Sequence, residues 1–525
     1  MIKVSNFLSN VPPLFSDLAK LLSGEITCSQ QALTEASTDN SPYNIRPQAI
    51  VYPKNTTDIK HVISFSREYQ MPITVLGGGT ANTGGSLGEG VIIDMSKHFN
   101  HVRQINMMEQ TITVDSGTTI SMLNERLRGL NMEIPPLLFE DNNSTVGGII
   151  STKSATSLTF YYGTIREWIE GITVIVDTGE EHHIKDGITP SGRLLGIYQS
   201  IFPLLSSSGP ILRAVKPENS DDSTGYSIWG TSIGPRQLLD ELVGSEGTLG
   251  IITSVTFRVA PHKAHSTSTL IAIPNSKLLS ACIDVIKHHN SESIFMFDET
   301  FTKLTQKFHP GLLPEIPEGP YTLLITHRNN DVKRLHADVT ACIRALTIPI
   351  GHAIEIENEK ANKIRSFYFL SGVMQTYTNG ALKIINTACG IIVSNHLYEN
   401  LLSDIDLYMS SHGKLYTLTG YAGSGHLSLL ALLDPQSKTY EDDIMSFTEN
   451  IFKIVKKYKG GISAVGGDGL AKTPYLRQIY NEATCNIFEQ LKKAWDPLSI
   501  FNPSKKTGGS TNYLHQHIAR KRASE

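Results

Sequence analysis

The ten residues Leu76–Gly85, LGGGTANTGG, lie between two strand-like runs, MPITVL and GVIIDMS, and constrain the fold more than any other segment. Five glycines within nine residues let the backbone take positive φ and let a ligand reach main-chain N–H groups that a Cβ would shield. Such a loop suits a diphosphate. The spacing is not that of the common phosphate loops. A Walker A loop needs G-x-x-x-x-G-K-[ST], whereas Gly79 to Ser86 reads GTANTGGS, with Gly85 at the lysine position. A Rossmann loop opens a helix, whereas this chain continues through Leu87–Gly90 into the strand-like Val91-Ile92-Ile93. Standing alone, the segment also reads as a plain glycine-rich hairpin connection.

At 525 residues the chain exceeds what one hydrophobic core usually serves, so two or three units are expected. A hydrophobic fraction of 40%, a charged fraction of 18% and a formal charge of -4 describe a globular protein without a nucleic-acid-type basic face. Nucleic acid is therefore not an expected partner. The five cysteines, Cys28, Cys282, Cys342, Cys389 and Cys485, are odd in number and widely spaced, which fits free thiols in the cytoplasm. Pro12-Pro13 and Asp17 interrupt any export-signal core, and no apolar run is long enough to span a bilayer. Peripheral contact with the inner face of a membrane stays open.

Residues 1–45 read as a lead-in with a short amphipathic stretch, Phe15–Leu22. From 46 to 261 the pattern is α+β. AIVYP, a helix through Ile59, Val62, Ile63 and Phe65, and PITVL make a β-α-β unit, followed by VIIDMS, TITVDSG, ITVIVD and GIITSVTFRVAP. The stretch 187–234 is punctuated by Ser, Pro and Gly and reads as a long loop. Residues 262–435 alternate strand and helix, which suggests a separate mixed sheet with helices on it. Residues 436–506 are helical and end in DPLSIFNPSKK, and 507–525 form a polar tail.

Three further segments strengthen the glycine loop: GSEGTLGIIT at 244–253, NSTVGG at 143–148 with YGTIR at 162–166, and DPLSIFNPSK at 496–505. In this order they resemble the FAD-linked oxidases of the vanillyl-alcohol oxidase and p-cresol methylhydroxylase (VAO/PCMH) superfamily. STGY and GDGLAK add a likeness to its D-lactate, glycolate and D-2-hydroxyglutarate dehydrogenase branch. The resemblance covers about residues 40–506. It implies a two-subdomain PCMH-type FAD-binding domain, an α+β cap domain for substrate, and a C-terminal segment returning to the FAD domain.

Carried over by position, the resemblance places the pyrophosphate loop on Gly77, Gly78, Gly79, Thr80, Ala81 and Asn82, closed by Gly84 and Gly85. A second flavin loop falls on Ser144, Thr145, Gly147 and Gly148, with Tyr162, Gly163 and Arg166 following. Glu246, Gly250, Ile251 and Ile252 fall on the adenine and ribose side, and Asn502 near the flavin. Thr80 follows Gly79 where some covalently flavinylated members have a histidine, which implies non-covalent FAD.

The substrate side departs from the branch, whose H-A-G-x-G-N-L-H and G-E-H-G-x-G segments supply two metal-binding histidines, a metal-binding glutamate and a histidine near flavin N5. The matching stretches are YAGSGHLS and AVGGDGLAK. Tyr421 and Ser428 replace the metal histidines, Val465 the glutamate and Gly466 the remaining histidine, so no metal of the family type is expected. Oxidising a 2-hydroxy acid needs an acceptor for the hydroxyl proton. Tyr421, starting near about 10, would need its pKa lowered by about three units, roughly 4 kcal/mol, whereas histidine starts at about 6.5, so His426 is the better candidate base. For the substrate carboxylate, Arg365 in NKIRSFYFLSG is the nearest match, with Lys383 in GALKIINT as a second cation.

The sequence thus points to an FAD-dependent oxidoreductase that takes a small 2-hydroxy acid and passes electrons to an unknown acceptor. Two alternatives stay open. One is a metal-free flavoenzyme for a phenol, an alcohol or a lipid-like ether precursor. The other is a flavin-binding protein without turnover, such as a subunit of an electron-transfer complex.

Overall fold

The computed structural model describes residues 11–138, 142–230, 234–289, 291–328, 332–366 and 382–520. The two ends of the chain, including the first ten residues of the expected lead-in, lie outside these ranges. Four short strands, β1 (Glu25–Thr27), β2 (Ala49–Tyr52), β3 (Ile73–Leu76) and β4 (Val91–Asp94), form a sheet in the order β1-β2-β4-β3. β2, β3 and β4 are parallel, as the crossover helix Thr56–Tyr69 between β2 and β3 requires. That helix buries Ile59, Val62, Ile63 and Phe65 at helical spacing and starts where the Asn55 side chain accepts the Asp58 N–H.

Residues read as a lead-in supply the edge strand β1, antiparallel to β2. The reason is Asp58. Its fully buried carboxylate accepts the backbone N–H groups of Ser23, Gly24 and Lys54 at 2.8, 2.9 and 2.8 Å, which pins the turn before β1 to the crossover helix.

The next strands are β5 (Val102–Asn106), β6 (Thr111–Asp115), β7 (Met132–Glu133), β8 (Ile169–Ile175), β9 (Glu181–Lys185), β10 (Ile251–Arg258) and β11 (Ala260–Pro261). Five of them make an antiparallel sheet, β5-β6-β10-β8-β9, while β7 pairs with β11 at its margin. The expected long loop at 187–234 is largely helical instead, with helices Gly192–Ser207 and Gly209–Val215. Leu194, Ile197 and Ile201 face the core at helical spacing, a period that Pro203 and the serines around it disguise in the sequence.

The second unit is not the expected mixed sheet but one antiparallel sheet of seven strands, every pairing in it antiparallel. β12 (Thr267–Ile273), β13 (Ser293–Asp298), β14 (Tyr321–His327), β15 (Ala353–Ile356), β16 (Lys383–Ile392), β17 (Leu415–Tyr421) and β18 (His426–Leu433) lie in the order β15-β12-β14-β13-β17-β18-β16. The chain then returns to the first unit. After the helices Tyr440–Lys457 and Glu482–Trp495, Ile73 N–H donates to Ile500 O and Asn502 N–H to Ile73 O, both at 2.7 Å, beside the glycine loop. Among the described residues no helix is long and apolar enough to cross a membrane.

Replacing Asp58 by Ala leaves three amides without their charged acceptor. The expected cost is about 3 kcal/mol, read as a lower urea midpoint for the first unit, with Asp58→Asn milder.

Candidate functional site

The loops that follow β3 and β7 meet because glycine lets their backbones touch. A Cβ on Gly78 would stand 1.9 Å from Asn143 O, so no other residue fits there. Thr80 Oγ1 lies 3.1 Å from Ser144 Oγ, and the Thr145 side chain caps the helix Val146–Thr152 by accepting Gly148 N–H. These loops form one wall of a cavity of about 850 Å³.

Gly77, Gly78, Gly79, Thr80, Ala81, Asn82 and Gly85 line it, with Ser144, Thr145, Gly147, Gly148, Glu246, Gly250 and Ile252. Polar groups on this wall await partners: among the described residues both side-chain atoms of Asn82, 2% exposed, and Ser116 Oγ, 3% exposed, make no hydrogen bond. The opposite wall carries Arg365, Arg328, Asn386 and Tyr421, all from the second unit.

Several expected site residues face elsewhere. Ile251 packs into the core with Ile73 and Val91, because strand alternation sends Gly250 and Ile252 to the cavity. Gly84 packs on Leu470. Asn502 spends its amide on the protein, donating to Gly85 O at 3.1 Å and Glu246 O at 2.7 Å and accepting from Thr74 Oγ1, so it positions two cavity loops. Tyr162 turns to Glu292 and Lys263, Arg166 pairs with Asp240, and Gly163 packs on the Glu167 carboxylate.

The expected catalytic residues divide similarly. Arg365, on the helix Asn358–Ser366, donates from Nη1 to Thr326 Oγ1 at 2.7 Å and from Nη2 to Asn362 Oδ1 at 2.5 Å. Burial first, with the Arg328 charge adding to it and Tyr421 opposing it, lowers its pKa to about 10. Lys383 does not line the cavity: it sits opposite Leu433, and alternation along β16 gives the cavity Ile384 and Asn386. Arg328 lines the cavity beside Arg365, together with Lys263 and Arg128.

His426 is also corrected. It is fully buried in β18 behind Tyr421, its ring 5.1 Å from the tyrosine ring, and it is absent from the cavity wall. Its Nδ1 accepts Tyr421 N–H at 3.3 Å, and burial, then the Lys472 charge, push its pKa down to about 3. This is a neutral core histidine. Ser428 is likewise buried, its hydroxyl accepting Gly390 N–H at 3.1 Å.

The loop 464–469 fills the remaining side. Gly466 has φ +77, and a Cβ there would lie 2.0 Å from Asn82 Oδ1. A histidine at 466 would be strained by the positive φ and would displace the Asn82 side chain. Asp468 and Gly469 N–H donate to the Glu246 carboxylate at 2.6 and 2.8 Å, and Lys506 Nζ lies 3.1 Å from Glu246 and 2.9 Å from Asp468.

A group missed in the sequence sits where the units join. His262 and Lys263 line the cavity, and Glu133 of β7, 1% exposed, accepts from His262 Nδ1 at 2.8 Å, Lys263 N–H at 3.2 Å and Arg328 Nη2 at 2.5 Å. The signal was present: Glu133 is an acid inside the apolar run MEIPPLL, and such an acid requires a buried partner.

A model described as FAD binding domain matches residues 47–185, and one described as FAD linked oxidases, C-terminal domain, matches 263–506. The D-2-hydroxyglutarate dehydrogenase of Pseudomonas putida is 24% identical over 510 residues, 92% of this chain and 50% of that protein. This chain therefore spans about half the length of that relative. The D-lactate dehydrogenase of Anaerostipes hadrus is 24% identical over 473 residues, 88% of this chain and 89% of that one. The solved 4-ethylphenol oxidase from Gulosibacter chungangensis superposes with TM-score 0.68 at 16% identity, covering 97% of this chain and 100% of that one, a likeness of fold.

Two outcomes follow. Gly466→Ala should drive Asn82 out of the cavity wall and weaken flavin retention at least about 10-fold, read by dialysis and visible absorption. Between about pH 6.5 and 3 the native state holds fewer protons at His426 than the unfolded chain, so stability falls as pH drops through that window. His426→Gln should flatten that fall by up to about 1.4 kcal/mol per pH unit, read from denaturation midpoints.

Proposed function

The chain belongs to the FAD-linked oxidases of the VAO/PCMH superfamily, and from that premise we propose that it oxidises a small 2-hydroxy acid at the cavity between its two units. The observation that carries the reading is the pairing of two walls in one cavity: glycine loops with unpartnered polar groups on one side and Arg365 on the other. The residues present fit FAD. Main-chain N–H groups of 77–79 suit a diphosphate, and the idle Asn82 amide and Ser116 hydroxyl supply polar contacts to a ligand seated there. Binding is non-covalent in this reading.

FAD held by these loops would supply a two-electron acceptor for a hydride and pass both electrons on to a further acceptor. The chain's own residues do the rest. Arg365, held by Thr326 and Asn362, presents a planar cation for the substrate carboxylate and so orients C2. Asn386 Oδ1 makes no hydrogen bond among the described residues and belongs to a cavity-lining residue, ready to accept from a polar substrate group. Val465 and Tyr421 give this side an apolar and aromatic surface that limits water. The reaction is metal-free in this reading, since Tyr421, Ser428, Val465 and Gly466 cannot form a His₂Glu ligand set. Relatives named for D-2-hydroxyglutarate and D-lactate support the substrate class.

The test is anaerobic bleaching of the flavin band by D-lactate, glycolate and D-2-hydroxyglutarate. At least one acid should bleach it, dialysis against EDTA should leave the rate unchanged, and Arg365→Met should weaken substrate binding about 100-fold, as loss of a charge-assisted pair of hydrogen bonds implies. A flavin that photoreduces normally but is untouched by every acid would replace this reading with a flavin carrier without turnover.

A further inference from the structure

We propose that His262, oriented by Glu133, is the proton acceptor for substrate oxidation in this chain, an assignment that rests on the 2-hydroxy acid reading above. Its position in the chain, directly after β11, is unrelated to the segments at 421–428 and 464–469, where polar site residues were expected.

Glu133 takes the Nδ1–H of His262, which fixes the tautomer and leaves Nε2 as the nitrogen with a lone pair. The His262 side chain is 25% exposed, lines the cavity and makes no other hydrogen bond among the described residues. A buried carboxylate behind a cavity-facing imidazole is the arrangement that orients a general base and stabilises the imidazolium it becomes.

The same frame carries Arg365. Ala264 and Ser266 continue the cavity wall beyond His262. Ser266 O accepts from Asn358 Nδ2 at 2.7 Å, and Ser268 Oγ donates to Asn358 Oδ1 at 3.2 Å, which fixes the start of the arginine helix. Arg365 lies two turns further on that helix and donates to Thr326 Oγ1, itself 3.0 Å from Ser268 Oγ. The base and the carboxylate anchor are thus set by one short, hydrogen-bonded segment.

The charged groups facing His262 come from every neighbouring element. Glu133 belongs to β7, Lys263 is adjacent, and Arg328 follows β14, with Glu292 and Tyr162 beyond Lys263. Among the described residues Arg328 Nη1 makes no hydrogen bond and lies 3.9 Å from Glu292, so its charge also favours an anionic ligand in this space.

The step balances. The C2–H bond breaks with both its electrons moving to the flavin, the hydroxyl O–H bond breaks with its proton passing to Nε2, and C2=O forms. The imidazolium then returns the proton to solvent along its exposed edge.

Oxalate tests this without turnover, because its second carboxylate mimics the ionised C2 oxygen. Binding to the FAD-loaded protein is read from the flavin spectrum, and proton uptake from an indicator dye in weakly buffered solution near neutral pH. The wild type should bind oxalate and take up protons. His262→Asn keeps a donor for Glu133 but lacks Nε2; it should bind oxalate without that uptake and bleach with substrate at least about 100-fold more slowly. His262→Gln serves as the second variant and should behave likewise. Unchanged uptake or near-wild-type bleaching in both variants overturns the His262 assignment and leaves the substrate reading standing. Failure of the wild type to bind oxalate or to bleach with any 2-hydroxy acid overturns the substrate reading, and this assignment with it.

Discussion

Three segments far apart in sequence meet in one buried charge cluster, and the cavity depends on it. Glu246 follows the first unit's helix 235–242, Asp468 belongs to the loop after the second unit, and Lys506 ends the returning segment. Burial by itself would favour neutral Lys506, but Asp468 and Glu246 outweigh it and hold the ammonium charged, its pKa above the ordinary value. Lys506 also donates to Ser223 O and Gly225 O at 2.9 Å, so its charge is fully surrounded. Removing one partner of such a cluster is far costlier than the cluster's net contribution, because the others are left buried and unpaired. The arrangement closes loops 244–250 and 464–469 onto each other and, through Asn502, onto the glycine loop.

That closure explains why the substrate side looks so different from the branch the chain resembles. Once Gly466 takes its positive φ against Asn82 and Asp468 is committed to Lys506, a histidine at 466 would be strained and would have to displace the Asn82 side chain, and the loop has no carboxylate to lend to a metal. Loop 464–469 serves as a structural lock. At the junction of the two units Glu133, His262 and Arg328 form a linked set, of which His262 and Arg328 line the cavity.

Much of this was legible in the sequence, and the reasons for success and failure are physical. The glycine loops were readable because positive φ and close backbone contact leave a residue-type signature; Gly79 and Gly84 do take φ of +68 and +74. The helix 56–69 was readable from its apolar period. The helix 192–207 was hidden by Pro203 and flanking serines, where burial of Leu194, Ile197 and Ile201 overrode local propensity. His426 and Lys383 were misplaced for a different reason. One residue along a strand reverses the face, so Ile384 and Asn386 reach the cavity while Lys383 does not. His262 and Glu133 are 129 residues apart and meet only through the β7–β11 pairing, which no local pattern announces.

The central claim is that one cavity holds both cofactor and substrate, with charge anchored from the second unit. A crystal structure of the FAD-loaded protein with oxalate tests it most directly. The account predicts diphosphate density on the main chain of Gly77–Gly79, and oxalate between Arg365 and His262. Flavin density outside this cavity, or oxalate bound away from Arg365, would contradict it.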